Sequence, residues 1–236
     1  MNTAVRQDNC VPLLTDIALF QGLTGEQLRF IGTDCCRKRA NKGLILCEKG
    51  VRLDGFYAVR QGRIKLAMLS AEGAERVVQI ALPGETFGEG VGLAGHALPF
   101  YAQALTEAEL LFFRAEHIKA AVARWPALAM LLLDQACARM QELYHDLEAC
   151  CLQSALQRVA GYLQDRLDCL RDQHPSAPAR IALPAGKAVV ASRLNLTPET
   201  FSRELRQLSA AGIIRVDKGL VQILDQGRLA DATGRG

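Results

Sequence analysis

The sequence predicts an α+β chain: an antiparallel β-domain, then one long helix, then a small helical domain carrying a β-hairpin. Between about Arg39 and Arg114 the runs LILCE, FYAVRQG, RIKLAML, RVVQIAL and ELLFFR alternate with glycines at 43, 50, 55, 62, 73, 84, 88, 90, 92 and 95. β-prone runs at that spacing, cut by glycine turns, fold as an antiparallel barrel or sandwich. From Ala115 no glycine follows until Gly161, while Ala, Leu, Met, Gln and Glu dominate, so this stretch is helical. Beyond Pro175, Pro178 and Pro184, which forbid a continuing helix, the chain reads as two short helices and two β-prone runs.

Ahead of the β-domain, LTGEQLRFI (23–31) is a short amphipathic helix with Thr24 as its cap and Leu28 and Ile31 facing inward. In the long helical stretch Leu133, Met140 and Leu147 recur every seven residues, and Ala136, Leu143 and Cys150 follow each by three. This is the a/d seam of a coiled coil, and such a stripe calls for a second, parallel copy of the chain. A further helix from Ser154 to Arg171 puts a joint near residues 151–154. The expected divisions are 1–125 for the β-domain, 126–153 for the long helix and 154–236 for the C-terminal domain. In the last of these, Leu196 is expected to be buried at a tight turn. Thr197 caps the helix that follows, Pro198 takes its first position and Gly212 ends it. Asp217-Lys218-Gly219 then marks a hairpin.

Composition removes several classes. A chain of 236 residues suits one to two domains. With 50% hydrophobic and 22% charged residues it fills such cores and does not have the make-up of a disordered protein. No apolar run is long enough to span a bilayer, the longest being cut by Arg124, Pro126 and Asp134. The start MNTAVRQDNCVPLLTD lacks the basic and apolar regions that export needs, so a cytoplasmic location is expected, with no membrane partner. The eight cysteines read as reduced thiols, metal or redox groups rather than a disulfide frame, and they show no Cys-x-x-Cys or zinc-finger spacing. Charge is uneven: residues 1–153 hold 16 basic and 17 acidic side chains, and residues 154–236 hold 12 and 8. The positive excess therefore lies wholly in the last third, where it permits a nucleic-acid partner.

Two short helices, a tight turn and a hairpin in that basic third fit a winged helix-turn-helix, whose second helix enters the major groove of DNA. On the helix beginning at Pro198, Glu199, Ser202, Arg203 and Arg206 share one face, and Phe201, Leu205 and Leu208 share the other, where they can pack on Val189, Val190 and Leu194. Arg203 can donate two hydrogen bonds to the O6 and N7 of a guanine. Glu199 can accept from a cytosine amino group or steady the arginine, and Ser202 can touch a neighbouring base. Thr200, Lys187, Arg206 and Lys218 suit phosphate contacts, which give affinity and register without sequence information. No enzyme is expected.

At these residues the chain resembles a known family. TPETFSRELRQL (197–208) is similar to the recognition helix of the Crp/Fnr family of bacterial transcription regulators, and ETFSR (199–203) to the Glu-x-x-Ser-Arg pattern of its Fnr branch. LPGETFGE (82–89) resembles the family's effector-domain signature, and LPFYAQAL (98–105) the corresponding stretch in Fnr and in the nitric-oxide-responsive Dnr group. GFYAVRQGRIKL (55–66) resembles the family's β-roll, and residues 124–148 its dimerisation helix. The resemblance implies a cyclic-nucleotide-binding-like β-roll, a long dimerisation helix and a winged helix-turn-helix. It also implies a homodimer that binds an inverted repeat close to TTGAT-N4-ATCAA, with Glu199, Ser202 and Arg203 reading each half-site and RNA polymerase as a partner.

The effector stays open. The expected pocket is drawn around Gly88, Glu89, Tyr101 and Gln103. Gly88 and Glu89 match the family's cyclic-AMP-binding members, but where their phosphate-holding arginine should come the chain reads HALPFYAQA (96–104). An anionic phosphate buried without a cation pays a large desolvation cost, which argues against cyclic AMP. An Fnr-type iron–sulfur cluster is disfavoured too, because Cys10 alone precedes the first helix and Leu111 stands near the fourth ligand's position. The Dnr resemblance implies haem, for which His96, His117, His145 and His174 are the histidines on offer. His145, expected near the β-roll, is the first choice, and Cys10, Cys35, Cys36 and Cys47 are further metal candidates. The rival reading is a cyclic-nucleotide-type regulatory subunit that acts on a partner protein rather than on DNA.

Overall fold

The computed structural model describes residues 11–173, 178–217 and 219–234, and the chain divides into two compact units, Met1–Met140 and Gln141–Gly236. Cys10, His174 and Lys218 lie outside the described residues.

The first unit opens with helix α1 (Val11–Leu14), a 3-10 turn (Ala18–Phe20) and helix α2 (Gly25–Gly32). Thr24 caps α2 as expected, and the cap is reciprocal. The Thr24 hydroxyl accepts from the Gln27 amide at 3.3 Å, and the Gln27 side chain accepts from the Thr24 amide at 2.8 Å. Leu28 and Ile31 are buried. Eight strands follow: β1 (Cys36–Ala40), β2 (Ile45–Cys47), β3 (Gly55–Gln61), β4 (Ile64–Leu69), β5 (Glu75–Ala81), β6 (Thr86–Phe87), β7 (Tyr101–Ala104) and β8 (Ala108–Arg114). They form two four-stranded antiparallel sheets, ordered β1-β8-β3-β6 and β2-β7-β4-β5.

The apolar runs FYAV and LLFF are continuous because the sheet that holds them is buried on both faces. On β3, Phe56 and Ala58 join Leu111 and Phe113 of β8 under the helices, while Tyr57 and Val59 join Leu110 and Phe112 against Ile64 and Leu66 of the other sheet. The register sets Phe56 opposite Phe113 and Tyr57 opposite Phe112, with ring centroids 5.3 Å and 4.8 Å apart. The sequence reading missed helix α3 (Glu89–Ala94), which interrupts the strands in a glycine-rich stretch of low helix propensity. The glycines serve close approach there: a Cβ on Gly92 would run into the Gly55 carbonyl oxygen.

Helix α4 (Ala115–Arg124) stops at Trp125, and helix α5 (Ala127–Leu152) begins after Pro126 and continues from the first unit into the second. Among its described residues only Leu128 is buried. Leu133, Ala136, Met140, Leu143 and Leu147 are exposed and Cys150 is half-buried.

In the second unit, helix α6 (Ala155–Gln173) is separated from α5 by a fresh capping box, in which the Ser154 amide donates to Gln157 at 2.8 Å and the Gln157 amide donates to the Ser154 hydroxyl at 3.2 Å. Strand β9 (Arg180–Ala182), helix α7 (Lys187–Arg193), helix α8 (Pro198–Ala210), strands β10 (Ile214–Asp217) and β11 (Leu220–Ile223), and helix α9 (Gln226–Thr233) complete it. The hairpin β10–β11 forms as read, with Gly219 at φ 86° in its turn. The third strand, β9, and the closing helix α9 were not foreseen. One core holds Val159, Leu163 and Leu167 of α6, Val190 of α7, Phe201, Leu205 and Leu208 of α8, and Leu229 of α9. Two expectations are corrected: Leu196 packs on this core but stays partly exposed, and Val190 and Leu194 meet α8's apolar face while Val189 is not part of that core.

Candidate nucleic-acid interface

Helices α7 and α8 are joined by a turn that needs one left-handed residue, Asn195 at φ 56°, a conformation that asparagine tolerates better than most residues. Thr197 then starts α8, its hydroxyl accepting from the Thr200 amide at 3.2 Å, and Pro198 occupies the first helical position. Gly212, at φ 71°, follows the end of the helix. These local rules fix where α8 begins and ends. Burial of Phe201, Leu205 and Leu208 fixes its rotation, which leaves Glu199, Arg203 and Arg206 exposed and Ser202 partly exposed.

Arg203 has a partner that the sequence reading did not name. Its side chain is 65% exposed, and its Nε and Nη2 donate to one carboxylate oxygen of Glu204 at 3.0 and 2.8 Å, while the Glu204 side chain is only 6% exposed. Helix spacing lets Glu199, four residues away on the same face, either steady Arg203 or accept from a cytosine amino group, whereas adjacent residues do not share a face. The hydrogen bonds of Arg203 go to Glu204. A signal was present: Glu204 falls between Phe201 and Leu208 on the core-facing side, and a carboxylate there must find a cation.

The remaining interface candidates are in mixed situations. Lys187 is exposed at the start of α7. Arg206 lies along the helix, its Nε donating to the Ser202 carbonyl at 3.3 Å. The Thr200 hydroxyl accepts from Thr197 at 3.1 Å, which leaves its own O–H able to donate. Two arginines brace the motif from behind. Arg158 of α6 donates to the Asn195 carbonyl at 3.3 Å, tying the left-handed turn down, and Arg193 at the end of α7 pairs with Asp146 of α5 at 2.7 Å. Burial pushes the neighbouring Tyr162 phenol up to about 12, against the opposing charges of Arg166 and Arg193.

In the β-domain the expected pocket residues are largely engaged. Gly88, at φ 83°, caps α3, and Glu89 begins it. Gln103 donates to the Gly43 carbonyl at 2.9 Å. Tyr101 donates to Glu75, which also accepts from the buried Lys65 at 2.7 Å. Burial alone would raise the Glu75 carboxyl, but these two hydrogen bonds hold it below its ordinary value. Leu98, in the stretch where the resemblance places a phosphate-holding arginine, is 1% exposed within the core.

The metal candidates among the described residues do not converge. Cys35 and Cys47 lie in different cores, and burial pushes the Cys47 thiol up to about 11, so it is a neutral thiol near pH 7. Cys36 lies on β1. His96 is exposed after α3. His117 contacts the Phe30 carbonyl at 2.6 Å and stacks on the Phe30 ring. His145 lies in the second unit, 3.9 Å from Asp165 of α6. Among the described residues no three His, Cys, Asp or Glu side chains are grouped to hold a metal ion. An apolar crevice in the first unit, lined by Leu19, Phe20, Ile31, Leu128, Leu131 and Leu132 among others, has neither histidine nor cysteine in its wall. Among the described residues, none of the histidine and cysteine candidates lines this crevice.

Comparison with known proteins agrees with the architecture. Residues 37–124 match the cyclic nucleotide-binding domain, and residues 157–232 match the Crp-like helix-turn-helix domain. The nitrogen fixation regulation protein FixK of Rhizobium meliloti is 31% identical over 68% of this chain and 69% of its own length. The fumarate and nitrate reduction regulatory protein of Shigella dysenteriae is 25% identical over 84% of this chain and 78% of its own. The solved structure of FixK2 from Bradyrhizobium japonicum has the same fold, with a TM-score of 0.75 at 20% identity, covering 84% of this chain and 96% of that one. No helix among the described residues is long and apolar enough to cross a membrane. With a nucleotide-binding-type β-domain, a long helix and a helix-turn-helix whose polar face is open, the chain belongs to the Crp/Fnr family of DNA-binding transcription regulators.

Proposed function

We propose that the protein binds, as a parallel homodimer, an inverted repeat close to TTGAT-N4-ATCAA, and that a signal other than a cyclic nucleotide acts on the β-domain to set the orientation of the two DNA-binding heads. The observation that carries the reading is the open face of α8, where Glu199, Ser202 and Arg203 stand opposite the buried Phe201, Leu205 and Leu208. Arg203 pairs with a guanine, Glu199 accepts from a cytosine amino group and Ser202 touches a neighbouring base. Thr200, Arg206, Lys187 and Lys218 hold phosphates. The exposed stripe of Leu133, Ala136, Met140, Leu143 and Leu147, extended by Cys150, forms the seam between the two copies of α5.

The reading against cyclic AMP rests on the stretch 96–104, which has no arginine or lysine to meet a buried phosphate and whose Leu98 is packed in the core. A signal in the β-domain acts by favouring one packing of α5 at the seam, and RNA polymerase is the partner that the bound dimer engages. The test is a titration of the palindromic duplex with wild-type and Arg203→Ala protein. The variant is expected to lose about 1–3 kcal/mol of binding free energy and its preference for the guanine. Full affinity and selectivity in the variant would overturn the assignment.

A further inference from the structure

We infer that Glu204 is a specificity-positioning residue: it holds the Arg203 guanidinium by its inner edge so that the outer edge is presented, already oriented, to a base. The inference rests on the reading of Arg203 as the guanine-contacting side chain. Adjacent residues on a helix point about 100° apart and do not ordinarily pair. Here they pair because Glu204 is fixed among Phe201, Leu205 and Leu208 on the core side, and the long arginine curls back to reach it.

The geometry of the contact is selective. One oxygen, Oε1, accepts from both Nε and Nη2, at 3.0 and 2.8 Å. Of the five N–H donors on a guanidinium, the inner two are thus taken. Three remain, two on Nη1 and one on Nη2, and an N–H from each forms the parallel fork that matches guanine O6 and N7. The Glu204 side chain is 6% exposed and its partner 65%, so the anchoring end is fixed while the reading end is open to solvent. A side chain oriented before binding loses less entropy when it binds. The carboxylate also offsets one positive charge on the DNA-facing surface, which lowers attraction to duplex of any sequence.

These two effects separate in two variants. Glu204→Leu removes both the hold and the charge and suits the apolar surroundings. Glu204→Gln keeps a carbonyl acceptor for Nε and Nη2 and removes only the charge. Affinities are read for the palindrome and for a duplex with the guanine pair exchanged, each across a salt series. With Glu204→Leu, discrimination is expected to fall by about fivefold to tenfold, and the dependence of log affinity on log salt to steepen by about one ion per head. With Glu204→Gln, the slope steepens while most of the discrimination is kept. In an Arg203→Lys background, which has no fork to orient, Glu204→Leu is expected to leave discrimination unchanged.

Wild-type discrimination in a folded Glu204→Leu dimer, or an equal loss in the Arg203→Lys background, would overturn the inference. If Arg203→Ala itself kept selectivity, the reading of Arg203 would fail. If Arg203→Ala lost selectivity while Glu204→Leu kept it, only the role given to Glu204 would fail.

Discussion

Glu109 shows how single residues in the β-domain set the response to acid. It is a buried carboxylate on β8, met by Arg37 at 2.9 Å and Arg60 at 2.8 Å, with Arg39 at 3.9 Å. Burial works to raise its pKa, but the hydrogen bond and charge of Arg37, aided by Arg60, outweigh that and leave it below the ordinary value of 4.5. A lowered folded pKa means that the stabilisation is fully present above the unfolded value and is lost as pH falls through the folded one. Glu109→Gln is therefore expected to cost stability near neutral pH and to flatten the loss below 4.5, read as the urea midpoint against pH. Parallel curves for the two proteins across that range would contradict this role. The residue scale is also where the sequence was hardest to read. Glu109 sits in an apolar run, and its partners on β1 and β3 are brought beside it by sheet pairing. Arg203 was legible as an exposed side chain on α8, whereas its bond to Glu204 was not, because helical spacing rules pair residues three or four apart.

The elements themselves followed local rules closely. Thr24, Ser154 and Thr197 each start a helix through a side-chain cap, and Gly212 and Gly219 supply the positive φ that a helix end and a hairpin turn require. Among the elements that escaped, most are short or contradict their own composition: α3 among glycines, the two-residue β6, the three-residue β9, and α9 after the hairpin, where no strong apolar period announces a helix. At this scale α5 makes the sharpest demand. Leu143 and Leu147 are 46% and 61% exposed, and a second copy of the helix is the cover that their heptad spacing fits. Leu143→Asp would set two carboxylates across such a seam. It is expected to give a monomer in sedimentation and, because linked half-sites bind with high effective concentration, to weaken palindrome binding by about a hundredfold or more. A Leu143→Asp protein that sediments as a dimer would remove α5 from that role.

At the scale of the whole molecule, function depends on a division of labour that composition alone hinted at. The positive excess lies in the last third of the chain, and there α7, α8 and the β10–β11 hairpin make a helix-turn-helix with an open polar face. Two braces hold that motif, Arg158 on the Asn195 carbonyl and Arg193 on Asp146 of α5, so the long helix is bonded directly to the first helix of the reading motif. The β-domain was legible as antiparallel sheets from its glycine spacing. What acts on it was not, because Tyr101 and Gln103 are hydrogen-bonded, Cys35 and Cys47 are buried, and among the described residues no three His, Cys, Asp or Glu side chains are grouped to hold a metal ion. The most direct measurement is the binding of full-length protein to duplexes that differ only in the spacer between half-sites. Two fixed heads predict two chains per duplex on the four-base-pair spacer. One inserted base pair turns the second half-site by roughly 35° and is expected to weaken binding by about a hundredfold. Equal affinity for both spacers, with one chain bound per duplex, would contradict a dimer that reads an inverted repeat.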